Sequence, residues 1–232
     1  MIRLENYLLD LRTFPSDAAL AYRREGIQGV WKAVATRSLH RVLRAGRLIV
    51  FAHSLDRDLD PALPPGIRVT RATDDDLQQL GSLTGQRDVS RFRSLVRNGR
   101  HCLIAWRGDQ PLGYSWVAAG VGPDVMLWPL PLEFPADAAY LWNLYVIPSE
   151  RSNGIGTALA QARLRLAQEL GFREGWRMVA PSNHPSLRTV SKSGAGTRIV
   201  GELDFVQLMG RTFGRFKSPH ASSPPASAVA VN

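Results

Sequence analysis

Apolar positions recur along this chain with two different periods, and the change from one to the other marks out its elements. From Ile155 to Leu170 the residues Ile155, Leu159, Ala162, Leu166 and Leu170 line up one face of a helix, which Gly171 ends. Apolar runs of strand length stand at 48–52, 67–70, 138–147 and 177–180. Two more, Cys102–Trp106 and Leu112–Ala119, flank a turn at 107–110 and predict a hairpin. Asp74–Thr84 reads as a helix capped by Thr73 or Asp74, Ser90–Val96 as a second, and Ser186–Ser193 as a short third. Thr197–Gly201 and Phe205–Phe213 predict a closing strand pair. Near the N-terminus, Ala18–Thr36 has a helical pattern weakened by Gly26 and Gly29.

The segment 55–66, LDRDLDPALPPG, is rich in aspartate and proline and marks a boundary. It separates an N-terminal extension, 1–60, from a mixed α/β region, 61–217. The extension's apolar run Leu48–Ala52 has the content of a buried strand, so it is expected to pack on the main body. The last residues, 218–232, are small and Pro/Ser/Ala-rich, and are expected to form a disordered tail.

Composition narrows the class further. The chain has 232 residues, 44% of them hydrophobic, which is ample for one large domain with an extension. Cys102 is the single cysteine, so no intramolecular disulfide forms and a reducing compartment fits. No run reaches the ~20 apolar residues of a membrane span, and the first residues carry acids inside their apolar stretch, unlike a signal peptide. A cytoplasmic location is expected. Most of the net charge of +9 comes from residues 21–50, where Arg23, Arg24, Lys32, Arg37, Arg41, Arg44 and Arg47 face Glu25 alone. That stretch reads as a solvated basic face, or as a docking surface for an acidic carrier protein or an anionic membrane. Nucleic acid fits less well, because only Tyr22 and Trp31 in it are aromatic residues suited to stacking.

The most informative segment is Val146–Gly156, V-I-P-S-E-R-S-N-G-I-G: a strand end, a proline, then R-x-x-G-x-G opening the long helix. A helix start leaves main-chain N–H groups without intrahelical partners and presents the positive end of the helix dipole, an arrangement suited to phosphate. Gly154 and Gly156 allow close approach to the main chain, and Arg151 offers further donors. Two other phosphate motifs are excluded. The chain has neither the G-x-G-x-x-G of a dinucleotide site nor the G-x-x-x-x-G-K-[ST] of a triphosphate loop here, and its turn follows an apparently antiparallel meander rather than an early parallel unit.

With Leu141-W-N-L-Y-V-I-P148, Arg151-S-N-G-I-G-T-A-L-A160 and a downstream Asn183-H-P-S186 before a short helix, residues 67–216 resemble the GNAT superfamily of acyl-CoA-dependent N-acetyltransferases. The resemblance implies an α/β (α+β) fold with a mixed, mainly antiparallel central sheet flanked by helices. It further implies that acetyl-CoA is the acyl donor, that no metal is needed, and that an amine on a small molecule or peptide is the acceptor. Main chain around Leu144, Tyr145 and Val146 would hold the pantetheine arm. Arg151, Ser152, Asn153, Gly154, Ile155, Gly156 and Thr157 would cradle the pyrophosphate. Asn183 and Ser186 would flank the arm, Asn183 also serving as a helix cap, and Arg188 or Lys192 would meet the adenosine 3′-phosphate.

The reaction sets further demands. An amine with a pKa near ~10 must lose a proton before it attacks the thioester, and the developing oxyanion needs a donor, for which an N–H near Leu144–Val146 is the natural candidate. Superfamily members often place a carboxylate base on the strand entering V-x-P, but here that strand offers Tyr140, Trp142 and Asn143. Tyr140 and Asn143 are therefore the candidate catalytic residues, with water carrying protons. The place where many relatives carry a thiolate-protonating tyrosine falls at Val190, with Ser191 beside it. Glu133, Asp137 and His101 are lesser candidates for acid–base work. Without a dedicated acid and base, a non-catalytic acyl-CoA-binding module is the alternative to an enzyme, and a longer acyl donor or an acyl carrier protein is an alternative to acetyl-CoA. The apolar loop Pro123–Pro135 either roofs a hydrophobic pocket with Trp116 and Trp128 or packs against the N-terminal segment.

Overall fold

The computed structural model describes residues 43–122, 127–192, 196–209 and 211–218, together with 19, 22, 23 and 25–29. Those last residues are helical, within the helix expected over Ala18–Thr36. The remainder of that span and the tail beyond Ser218 lie outside the described residues. In chain order the elements are β1 (Leu43–Ser54), β2 (Ile67–Arg71), α1 (Asp74–Gln79), α2 (Gly81–Thr84), α3 (Gln86–Arg97), β3 (His101–Arg107), β4 (Gln110–Ala119), β5 (Ala138–Val146), α4 (Ile155–Glu169), β6 (Glu174–Val179), α5 (His184–Ser191), β7 (Thr197–Leu208) and β8 (Arg211–Lys217).

Eight strands form one sheet in the order β2-β3-β4-β5-β6-β1-β7-β8. Every neighbouring pair is antiparallel except β5 and β6, which run parallel. The expected mixed, mainly antiparallel sheet is present. β1 does not flank it: the strand lies between β6 and β7, with Val50 and Ala52 fully buried. Alternation along the strands divides the apolar side chains between two faces. Ala139, Leu141, Leu159 and Leu164 meet beneath α4, while Phe92, Trp106, Tyr114 and Trp116 pack on the other face under α1, α2 and α3.

Several elements differ from the sequence expectation, each for a physical reason. The helix expected over Asp74–Thr84 begins as foreseen, with a capping box: Asp76 N donates to Thr73 Oγ1 (3.3 Å) and Thr73 N to Asp76 Oδ2 (2.8 Å). It then breaks at Leu80 into α1 and α2. Leu77, Leu80 and Leu83 are all buried at spacings of three, and a continuous 3.6-residue helix would rotate them progressively off one face. Restarting at Gly81 keeps all three inward. β6 begins at Glu174 rather than Arg177 because Gly175 is a packing position: a Cβ there would come within 2.8 Å of Leu141 and 2.9 Å of Leu164. β7 runs unbroken through the polar segment 202–204, read from sequence as a gap, because those acids pair across the sheet: Asp204 accepts from Arg47 Nε (2.6 Å) and Lys217 Nζ (2.7 Å). Arg44, over the Phe205 ring at 5.9 Å, and Arg47 thereby belong to the sheet rather than to a free basic face. Leu127, Leu130, Leu132 and Phe134, from the proline-rich loop, pack against Val50, Ala52, Trp176, Leu203 and Phe205. Trp116 lies in the core of the opposite half, so these residues pack against the N-terminal strand and do not form a roof with it.

Candidate functional site

The parallel strands β5 and β6 pair only where Ala138–Tyr140 meets Glu174–Trp176, and then part. A bulge in β5 accompanies the divergence. The register with β4 sets Ser115 alone against Asn143 and Leu144, and Asn143 takes a left-handed φ of 49°. Gly113, opposite Val146, has no side chain for a related reason: a Cβ there would overlap Tyr145 O. The opening holds a cavity of about 180 Å³. Leu141, Asn143 and Leu144 line it from β5, Arg177 and Val179 from β6, Arg163 from α4, Asn183 from the cap of α5, and Ser186 and Thr189 from that helix.

Beyond Val146 the chain makes a single 3-10 turn, Pro148–Glu150, and enters α4 through Ser152 (φ 70°) and Gly154 (φ 81°). Both left-handed residues fold the segment back sharply, and only glycine adopts that conformation without strain. No hydrogen-bond acceptor for the N–H groups of Ser152, Asn153, Gly154, Ile155, Gly156 or Thr157 is found among the described residues. The turn is held from outside. Arg107 clamps Glu150 through two bonds (2.6 and 2.8 Å), keeping that carboxylate below its usual range, and Asn153 Nδ2 donates to the same group (3.3 Å). Arg151 donates its Nε to Val146 O (3.2 Å), so its guanidinium also ties the turn to the end of β5.

Of the residues singled out from sequence, Asn143, Leu144, Asn183 and Ser186 come together at the cavity. Asn183 Oδ1 accepts from Ser186 N (3.2 Å), the cap of α5. Arg151 through Thr157 form the turn past the open end. Tyr145 and Val146 lie between the two, Tyr145 against the Tyr114 ring and Val146 buried under α4. Tyr140 is not among the cavity's lining residues. It stacks on Trp142 (5.5 Å, 3° between planes) with Phe134 at its edge, and burial raises its phenol above the ordinary value, so it holds its proton at neutral pH. Val190 packs on Phe51 and Val179, and Ser191 Oγ donates to Arg188 O within its own helix (2.9 Å). Glu133 and Asp137 are exposed and outside the lining, and His101 Nδ1 lies 2.8 Å from Arg71 Nη2 at the start of β3.

Sequence reasoning missed Arg163 and Arg177, each 4% exposed. Arg163 Nη1 donates to Ser115 Oγ (3.3 Å), while its Nε has no partner among the described residues. Burial lowers Arg163 to about 10; burial and then the neighbouring Arg163 lower Arg177 to about 8, and both stay cationic at neutral pH. His53 of β1, 1% exposed, packs in the same layer with Nδ1 2.8 Å from Thr197 Oγ1; burial, then Arg177, Arg163 and Arg57, push it down to about 2. A signal existed for Arg163. It follows Leu159 by four residues and so sits on the helix face turned toward the sheet, where Ala162 had been read as the inward position.

Residues 69–195, more than half the chain, match the sequence profile of the acetyltransferase (GNAT) family. The chain belongs to this family. The match opens in β2 and closes after α5, leaving β1, β7 and β8 outside it. Among solved structures, a GCN5-related N-acetyltransferase from Sphaerobacter thermophilus is similar with a TM-score of 0.50 at 18% identity, over 80% of this chain and 58% of that one. A Drosophila protein of known crystal structure is similar with a TM-score of 0.51 at 17% identity, over 78% of this chain and 57% of that one. At these identities the likeness is one of fold, and the chain spans less than two thirds of either relative. No curated protein matches it in sequence. No helix among the described residues is long and apolar enough to cross a membrane.

Proposed function

We propose that this protein is an N-acyltransferase that binds an acyl-CoA thioester in the gap between β5 and β6 and passes its acyl group directly to an amine. The observation that carries the reading is the run of unpartnered N–H groups from Ser152 to Thr157 at the mouth of that gap. Phosphate oxygens would accept from these donors, aided by the positive end of α4, and the pantetheine arm would follow Val146, Tyr145 and Leu144 inward. At the β5 bulge the arm would reach Asn143 and Leu144, where an interrupted ladder offers a main-chain donor to the thioester oxygen as negative charge develops on it. Asn183 and Ser186 would line the opposite wall.

Chemistry in this reading rests on proximity and orientation. Among the described residues no carboxylate lines the cavity, Tyr140 retains its proton and Val190 has none to give. The amine would therefore release its proton to water, and the departing thiolate would take one from water. This lack of a dedicated acid and base is also the observation that favours a second reading, an acyl-CoA-binding module without turnover. Incubating the protein with panels of amines and acyl-CoA donors while following free thiol separates the two. Thiol release that depends on both substrates is expected, and CoA binding without release on any amine would leave the binding module.

A further inference from the structure

Arg163 stands behind the part of β5 where the thioester is placed. It follows Leu159 by four residues on the inward face of α4, and its side chain lines the cavity between β5 and β6. Its Nη1 donates to Ser115 Oγ (3.3 Å), and Ser115, itself fully buried, is the β4 residue that the bulge sets against Asn143 and Leu144. One hydroxyl therefore separates the guanidinium from the bulge. The titratable and charged groups that face Arg163 are the Tyr140 phenol from β5, Arg177 from β6 and His53 from β1. At neutral pH Tyr140 keeps its proton and His53 is neutral, while both arginines are cationic. The α5 side of the cavity, Asn183, Ser186 and Thr189, carries no charge, and no acid is found among the described residues that line it.

Acyl transfer leaves negative charge on sulfur. The amine nitrogen bonds to the thioester carbonyl carbon, the C–S bond breaks with its electron pair going to sulfur, and the amine proton passes to water. Val190 has no proton to give the sulfur, and the Ser191 hydroxyl is committed within its own helix. We propose, resting on the CoA-binding reading above, that Arg163 stabilises the departing CoA sulfur as a thiolate and so takes the place of a proton donor. Its charge is in position before the reaction, in a site that water scarcely enters, and needs no reorganisation as the C–S bond breaks. The cavity holds about 180 Å³, so a sulfur seated in it lies within roughly 7 Å of the guanidinium. At an effective dielectric of ~20 that is near enough to favour the thiolate by about one to two pH units. Cysteine thiols beside a guanidinium ionise more readily for the same reason. The thiolate takes its proton from water once the product leaves.

Ultraviolet titration of the thiolate of CoA bound to the full chain tests this, with free CoA titrated alongside and S-methyl-CoA, which has no ionisable sulfur, as the blank. In the parent the bound thiol is expected to ionise at least about one pH unit below that of free CoA. Arg163→Lys is expected to keep most of that shift and Arg163→Gln to lose it. Affinity for S-methyl-CoA is expected to change little in either, whereas a merely structural loss would weaken both ligands alike. A bound thiol that ionises as free CoA does, in a parent that binds CoA, would overturn the proposal and leave the CoA reading intact. Failure to bind CoA at all would remove both. A shift that survives in Arg163→Gln would place the stabilising charge elsewhere, and the proposal falls. Should Arg163→Gln not fold, Arg163→Met, which removes the charge at similar length, replaces it; should neither fold, the shift in the parent and in Arg163→Lys still decides.

Discussion

The two ends of the cleft carry donors of different kinds. At the mouth, donors are neutral main-chain N–H groups along Ser152–Thr157, where Ser152, Asn153 and Gly154 are exposed; at depth, they are the guanidinium groups of Arg163 and Arg177, each 4% exposed. An exposed N–H exchanges a ligand oxygen for water, so the empty mouth loses little and gains modestly from each contact. A buried guanidinium gives up its hydration whether or not ligand is present, so the donors at depth carry a desolvation cost that exposed N–H groups do not. The two ends therefore differ in what they cost the folded chain before any ligand arrives.

The largest expected effect tests whether the deep end is built on the N-terminal extension. Deleting residues 1–60 removes β1, which carries His53 and pairs with β6 through Phe51 and Arg177. We expect the remaining fragment to be insoluble or to lack a cooperative melt; a soluble 61–217 fragment with normal CoA affinity would make the extension a separate module. At the mouth, Gly156→Glu tests the neutral donors. A Cβ at that position meets Val146 and Leu144 at ordinary contact distances of 3.8 and 3.9 Å, so the fold tolerates the change while a carboxylate enters the phosphate position. CoA affinity should fall by about 100-fold or more, roughly 2.7 kcal/mol, and an unchanged affinity in calorimetry would remove the basis for placing phosphate there.

A smaller effect reports on the deep end without any ligand. His53 is neutral in the fold, with a pKa near 2, but takes up a proton in the unfolded chain below its ordinary value near 6.5. Between these values the unfolded state binds more protons, so acid favours unfolding. Lowering the pH from 7 to 5 should cost about 2 kcal/mol through this residue, or about 4–8 °C in Tm. His53→Gln should reduce that acid sensitivity, and a pH profile of melting that the substitution leaves unaltered would show that the ring is not held neutral. The least change is expected at Asn143, which lines the cleft, and at Tyr140, which is buried beside Trp142 and does not. Asn143→Ala and Tyr140→Phe should each lower turnover by well under ~10³-fold, because proton transfer in this reading runs through water. A greater loss in kcat with CoA affinity intact would reveal a group that handles the proton directly.

How far these features could be read from the sequence depends on how local their causes are. The glycine turn, the cap at Thr73, the hairpin of β3 and β4 and the cap at Asn183 arise from neighbouring residues, and each was legible. The break at Leu80 and the start of β6 at Glu174 were not, because distant partners decide them: the shared leucine face in one case, and Leu141 and Leu164 against Gly175 in the other. The position of β1 was hidden for the same reason, since an apolar run announces burial but not its neighbours. In the site, the glycine turn was legible as a motif, whereas of the two buried arginines only Arg163 had a signal, its spacing from Leu159. Arg163 and Arg177 lie on different elements, and charged residues at such positions are ordinarily read as surface.

Because β1 is made first and paired last, synthesis itself becomes part of this fold's physics. Ile49 finds its partner at Val179 and Leu43 at Leu208, so the strand emerges from the ribosome long before either neighbour exists. Contacts so far apart in sequence close slowly, and until they do an apolar run with both edges unpaired offers itself to other nascent chains. Yield of folded protein should therefore depend on how quickly the C-terminal third is translated and on chaperone capacity, even where the finished sheet is stable.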